Sequence, residues 1–144
     1  MGSMASIKID TIKTWHALVH SRDRQALQDL LADDVVFHSP VVHTPQCGKA
    51  ITALYLMGAM HTLNNEHFRY EREIIGPSDA VLEFVTEIEG IHINGVDLIR
   101  WREDGRIIDF KVMVRPLRAV NALHQAMGQM LQRLSSGDLK GETA

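Results

Sequence analysis

The chain is expected to fold as α+β, with three helices near the start laid into the concave face of a cone-shaped, strongly curved antiparallel sheet, and one helix at the C-terminal end. Two changes of hydrophobic period predict this. Helical spacing up to residue 63 gives way to alternation from 68 to 114, and helical spacing returns after Pro116. The alternating segments are also joined by short connections, which suit antiparallel neighbours and are too short for parallel crossovers.

Between Ile9 and Val19 the apolar residues Ile12, Trp15, Leu18 and Val19 recur at helical spacing. Ser21 to Asp23 supplies N-cap chemistry for a second helix, whose Leu27, Leu30 and Leu31 share a face and which ends near Asp33-Asp34. Val35-Val36-Phe37-His38 reads as a brief strand stopped by Ser39-Pro40, and Pro40 to Gly48 as a loop. A third helix spans Lys49 to Leu63, with Ile51, Leu54, Tyr55 and Gly58 on one face. Four strands follow at Phe68 to Ile75, Ala80 to Glu89, Val96 to Arg102 and Ile107 to Val114, separated by stretches rich in Gly, Pro, Asn and Asp. Pro116 opens the last helix, whose stripe is Val120, Leu123, Met127, Met130 and Leu134. Residues 1–6, with a second methionine directly after Met1-Gly2-Ser3, read as an expression scar or disordered start. Residues 7–134 read as a single domain and 135–144 as a disordered polar tail.

Composition excludes several classes of function. A hydrophobic fraction of 45% with 23% charged residues is globular. A net charge of −3 with scattered Lys and Arg argues against a nucleic-acid partner, which needs a clustered basic face. No apolar run reaches the roughly 18 residues of a membrane span. The one cysteine, Cys47, cannot form an internal disulfide, which points to the cytoplasm. Neither His61/His67 nor His92/His124 brings a carboxylate at ligand spacing, so neither a metal nor another cofactor is expected.

Strand alternation selects the candidate site. If Asp97 faces the space between sheet and helices, Ile99 and Trp101 do too, and on the last strand Phe110, Val112 and Val114. Trp15 and Tyr55 reach in from the helices, and Phe37 and Ser39 from the first strand and the loop after it. A carboxyl in such apolar surroundings has its pKa raised and can donate a proton or hydrogen bond at neutral pH. His38 and His43 flank Ser39-Pro40 and are candidate bases, although alternation turns His38 away from the side of Phe37 and Ser39. The register of the Ala80 to Arg102 hairpin stays open. A two-residue turn at Glu89-Gly90 or at Asn94-Gly95 forbids Asp97 and Glu87 from sharing a face, whereas a longer connection allows it.

The order of elements, with Ala32-Asp33-Asp34-Val35-Val36-Phe37-His38-Ser39-Pro40 and Val96-Asp97-Leu98-Ile99-Arg100-Trp101, resembles the nuclear transport factor two-like superfamily. Within it the chain is similar to the SnoaL-like polyketide cyclase and ketosteroid isomerase branches. The resemblance implies one pocket, with Val81, Glu83, Val85 and Glu87 of the preceding strand facing inward. Against the ketosteroid isomerases, the oxyanion-binding aspartic acid falls on Asp97, but the catalytic aspartate falls on Ser39 and the oxyanion-hole tyrosine on Trp15, so two of three positions differ in chemistry and steroid isomerisation by that mechanism is not expected. Against the limonene epoxide hydrolases, the Asp-Arg-Asp set falls on Glu87, Val85 and Val112. The expected function is therefore a pocket for a hydrophobic carbonyl compound, with Asp97 and Glu87 as candidate acid–base residues of a cofactor-independent isomerase, lyase or cyclase. The alternatives are a non-catalytic binding protein and an interaction module that forms a homodimer through the outer sheet face.

Overall fold

The computed structural model describes residues 9–136; residues 1–8 and 137–144 lie outside it, and with them the expected start at 1–6 and most of the expected tail, of which Ser135 and Ser136 instead end the last helix. Asp10 caps α1 (Thr11–Ser21) by accepting from the Lys13 N–H at 3.3 Å, and the helix buries Ile12, Trp15 and Leu18. Arg22, in the left-handed conformation, ends α1, and Asp23 then caps α2 (Arg24–Leu30), accepting from the Ala26 N–H at 3.1 Å. β1 (Leu31–His38) follows with no loop between. The helical spacing of Leu27, Leu30 and Leu31 predicted a longer helix. Leu31 and Ala32 are instead buried as strand residues, and an irregular register between Leu31 and Val36 leaves Asp33 and Asp34 exposed. Inside the expected loop, β2 (Gln46–Cys47) pairs antiparallel with Val36 and Phe37.

The meander is as expected: β3 (Arg69–Ile75), β4 (Asp79–Ile88), β5 (Ile91–Trp101) and β6 (Ile107–Arg115) run antiparallel in sequence order. The whole sheet has six strands in the order β2-β1-β6-β5-β4-β3, and β1 lies parallel to β6. One pair therefore departs from the antiparallel expectation, because the long connection through the third helix and the meander lets β1 and β6 run the same way.

β5 starts five residues earlier than alternation suggested. The turn is Glu89-Gly90, both residues at positive φ (50° and 80°), a two-residue hairpin that suits the strand twist. Gly95 thus lies within the strand, opposite Phe84, where a Cβ would come within 2.4 Å of the Phe84 ring. The absent side chain leaves room for that ring on the inner face.

The long α3 (Lys49–Leu63) buries Ala53, Leu56, Met57 and Met60, while Ile51, Leu54 and Tyr55 of the expected face are only half-buried. It is apolar nearly all round because the sheet covers one side and α4 (Leu117–Ser136) the other. α1, α2 and α3 fill the concave face, and the core between the layers holds Leu18, Leu30, Phe84, Ile99 and Phe110, all essentially inaccessible to solvent.

Candidate active site

Residues directly opposite in an antiparallel pair share a face. Asp97 is opposite Leu82 of β4 and Val112 of β6, so it points to the helix side together with Phe84 and Thr86. Val81, Glu83, Val85 and Glu87 stand on the outer face. Glu87 and Val85 therefore do not reach the chamber that Asp97 faces, contrary to what the resemblance implied. The two-residue turn is the cause: it pairs each odd position of one strand with an even position of the other. Glu87 instead meets His92 across the outer face at 3.6 Å.

Asp97 is 6% exposed. Its Oδ2 accepts from the Tyr70 hydroxyl at 2.7 Å, and the Tyr70 oxygen accepts from the Trp15 Nε1–H at 2.9 Å. α1, β3 and β5 each contribute one member of this chain. Tyr70 pairs with Phe84 on the inner face, and a register shift between Tyr70 and Arg72 breaks the regular ladder beside it. The second carboxyl oxygen, Oδ1, has no hydrogen-bond partner among the described residues.

Burial penalises the charged carboxylate and raises the Asp97 pKa from 3.8 to about 7, with the Tyr70 hydrogen bond opposing that rise. Tyr70 itself is pushed well above the ordinary tyrosine range, by burial first and then by the Asp97 charge. The hydroxyl thus stays protonated as a donor while the carboxyl can exchange its proton near neutral pH. A protonated Oδ1 would be an acid aimed into an apolar space.

That space is small. It measures about 30 Å³, and its walls include Trp15, Phe68, Tyr70, Phe84, Asp97 and Phe110, five of them aromatic. One or two waters fill such a volume, whereas a drug-sized ligand occupies roughly 300 Å³ or more. Val112 also lines it. Phe37 and Tyr55 do not: they stack on each other at 5.5 Å. Ser39 lies in the loop, where its hydroxyl accepts from the Val41 N–H at 3.1 Å. Ile99 is buried core beside the chamber, and Val114 is half-buried at the end of β6. Trp101 belongs to a separate cleft of about 700 Å³ that also holds His16 and Glu73, and Val85 belongs to an outer cleft of about 840 Å³. His38 Nε2 lies 2.9 Å from Asp109 Oδ1 on the outer side, and His43 is exposed. Neither lines the chamber.

Sequence reasoning missed Tyr70, Phe68 and Phe84. Alternation within Phe68 to Ile75 contained a signal, since Phe68 and Tyr70 are the two aromatics of that strand on one parity. What it lacked was the register that sets Tyr70 next to Asp97, 27 positions away.

Fold and site together define a class: α+β proteins in which helices close a curved sheet over a single buried acid held by an aromatic hydroxyl. The family is equally plain, because the model of the SnoaL-like domain matches residues 12–110, and the chain belongs to that family. A steroid delta-isomerase from Pseudomonas aeruginosa is 36% identical, with a TM-score of 0.82 over 88% of this chain and 92% of that one. An uncharacterized protein with a cystatin-like fold from Silicibacter pomeroyi is 31% identical, with a TM-score of 0.80 over 93% and 94%. A protein of ketosteroid isomerase-like fold from Catenulispora acidiphila, solved with trimethylamine, is 17% identical and shares the fold alone, with a TM-score of 0.59 over 81% and 93%. No curated protein matches the chain significantly.

Proposed function

We propose that the protein binds a small apolar compound bearing a carbonyl or hydroxyl oxygen, and that the Asp97 carboxyl donates a proton or hydrogen bond to that oxygen. The observation that carries this reading is the buried chain from Trp15 through Tyr70 to Asp97, ending beside an apolar chamber. Tyr70 holds one carboxyl oxygen and leaves the other for the ligand, and the low-polarity walls strengthen any hydrogen bond made there. On this reading the protein is a cofactor-independent acid–base isomerase, lyase or cyclase. Its similarity to a steroid delta-isomerase supports that class.

Ligand binding without turnover is the second reading, and a specific observation favours it. Among the described residues Asp97 and Tyr70 are the only titratable side chains that line the chamber, so no separate base faces the acid. Proton transfer would then fall to Asp97 in both directions.

The test is affinity against pH, using the compound identified by native mass spectrometry of the purified protein. The parent should bind more weakly as pH rises past about 7, where Asp97 loses its donor proton, and Asp97→Asn should show no such dependence. A pH-independent affinity of the parent refutes the assignment. Turnover by the parent and none by Asp97→Asn would select the enzyme over the binding protein.

The outer sheet face is proposed as a homodimer surface. Half-buried Val81, Val96 and Leu98 and exposed Ile74 and Met113 lie there among charges, a mixture suited to a moderate interface. A cytoplasmic location belongs to the same reading: Cys47 is an exposed free thiol, and among the described residues no helix is long and apolar enough to cross a membrane.

A further inference from the structure

Among the described residues Phe68 is the one that lines both the 30 Å³ chamber and the outer cleft of about 840 Å³. Its ring stacks on Phe84 at a centroid distance of 5.5 Å and 24°, and meets Tyr70 edge-on at 5.1 Å and 83°. The chamber is too small for even one ring, since a cavity that holds benzene measures roughly 150 Å³. A ligand ring must therefore take the place of a side chain. Of the five aromatic walls, Phe84 and Phe110 are inaccessible, and Trp15 and Tyr70 are tied into the hydrogen-bonded chain to Asp97. Phe68 is only partly buried, has no polar atom to be held, and sits just ahead of β3, outside the strand ladder. Among the aromatic walls it is the one that can yield.

We infer that Phe68 is the door to the Asp97 chamber and that its ring occupies the site of the ligand's own ring. The inference rests on the Asp97 reading above and narrows it to a class of compound. The ligand is a planar ring that stacks on Phe84, with a carbonyl oxygen on the edge facing Tyr70 and Asp97. The remainder of the molecule lies in the outer cleft and is polar, because Arg69, Glu87, His92, Asn94 and Arg115 wall that cleft. Arg115 forms no salt bridge among the described residues, although its charge helps to hold the Glu83 carboxyl below its ordinary range; its Nη1 donates to Asn94 Oδ1 at 3.2 Å, which leaves guanidinium N–H groups for an acceptor on the ligand.

The test uses prodan, a fluorescent aromatic ketone, in stopped-flow binding to the parent and to Phe68→Ala, Phe68→Trp, Val42→Trp and Asp97→Asn. Val42 is exposed and lines neither the chamber nor the outer cleft, so its variant controls for an added indole away from the site. Phe68→Ala should associate about tenfold faster and Phe68→Trp about tenfold slower, while Val42→Trp matches the parent. Phe68→Leu serves as a second opening variant should Phe68→Ala fold poorly. Association rates indifferent to both Phe68 substitutions overturn the door. Affinities equal and pH-independent in the parent and Asp97→Asn sink the Asp97 reading alone, with the door intact if Phe68 still sets the rate. No binding by any variant, the opened one included, removes both.

Discussion

Replacing Asp97 with Asn tests the buried acid through stability, with no ligand needed. The folded carboxyl titrates at about 7 and the unfolded one at an ordinary 3.8, so the folded state holds its proton to higher pH. Between about pH 4 and about pH 7 unfolding releases that proton, so this residue's contribution to stability is complete at low pH and is lost as pH rises. Converted at about 1.4 kcal/mol per pH unit, the distance from 3.8 to about 7 makes the loss about 4 kcal/mol at most. Asn is nearly isosteric, keeps an oxygen to accept from Tyr70, and does not titrate. Asp97→Asn should therefore match the parent within about 1 kcal/mol at pH 4 and exceed it by up to about 4 kcal/mol at pH 8. Urea unfolding of both proteins at several pH values, with the two curves subtracted, cancels every other titrating group. A difference constant to about 0.5 kcal/mol over that range would mean that the carboxyl is solvated, and the reasoning above would fail with it.

Tyr70→Phe removes the donor to Asp97 and the acceptor of the Trp15 N–H; it should cost about 1–3 kcal/mol and move the Asp97 midpoint upward, read by carboxyl carbon NMR. Gly95→Ala drives a Cβ to within 2.4 Å of the Phe84 ring and 2.8 Å of the Met113 carbonyl oxygen, and thermal unfolding should show a loss of about 1–3 kcal/mol. Leu98→Asp places a charge on the outer sheet face and should leave a monomer by light scattering if that face joins two copies; an unchanged mass excludes it. Glu87→Gln, on the outer face, should alter stability by no more than about 0.5 kcal/mol in urea unfolding.

Much of the fold was legible because its signals are local. The stripe of Ile12, Trp15 and Leu18, the caps Asp10 and Asp23, and the alternation of β4 and β6 each follow from contacts within a few residues. Reading failed where distant partners outweigh local pattern. Leu31 has the spacing of a helix residue yet is buried as strand beside Ile107, and Gly95 looks like a turn yet sits in β5 because the Phe84 ring needs its space. α3 looked one-sided because the sequence does not announce that α4 covers its other face.

The sequence by itself determined the α+β class, the four-strand meander and the shared face of Asp97 and Ile99, since these depend on periods of two and 3.6 residues along one segment. Only the tertiary structure decided which groups meet that acid. Trp15 reaches Tyr70 across 55 positions and Tyr70 reaches Asp97 across 27, while Glu87, ten positions from Asp97, points the other way. The Glu89-Gly90 turn sends Glu87 to the face opposite Asp97, the β3–β4 and β4–β5 registers set Tyr70 beside that acid, and the docking of α1 brings Trp15 to Tyr70. Pairing geometry depends on how whole strands and helices settle against each other, and no short-range pattern encodes that.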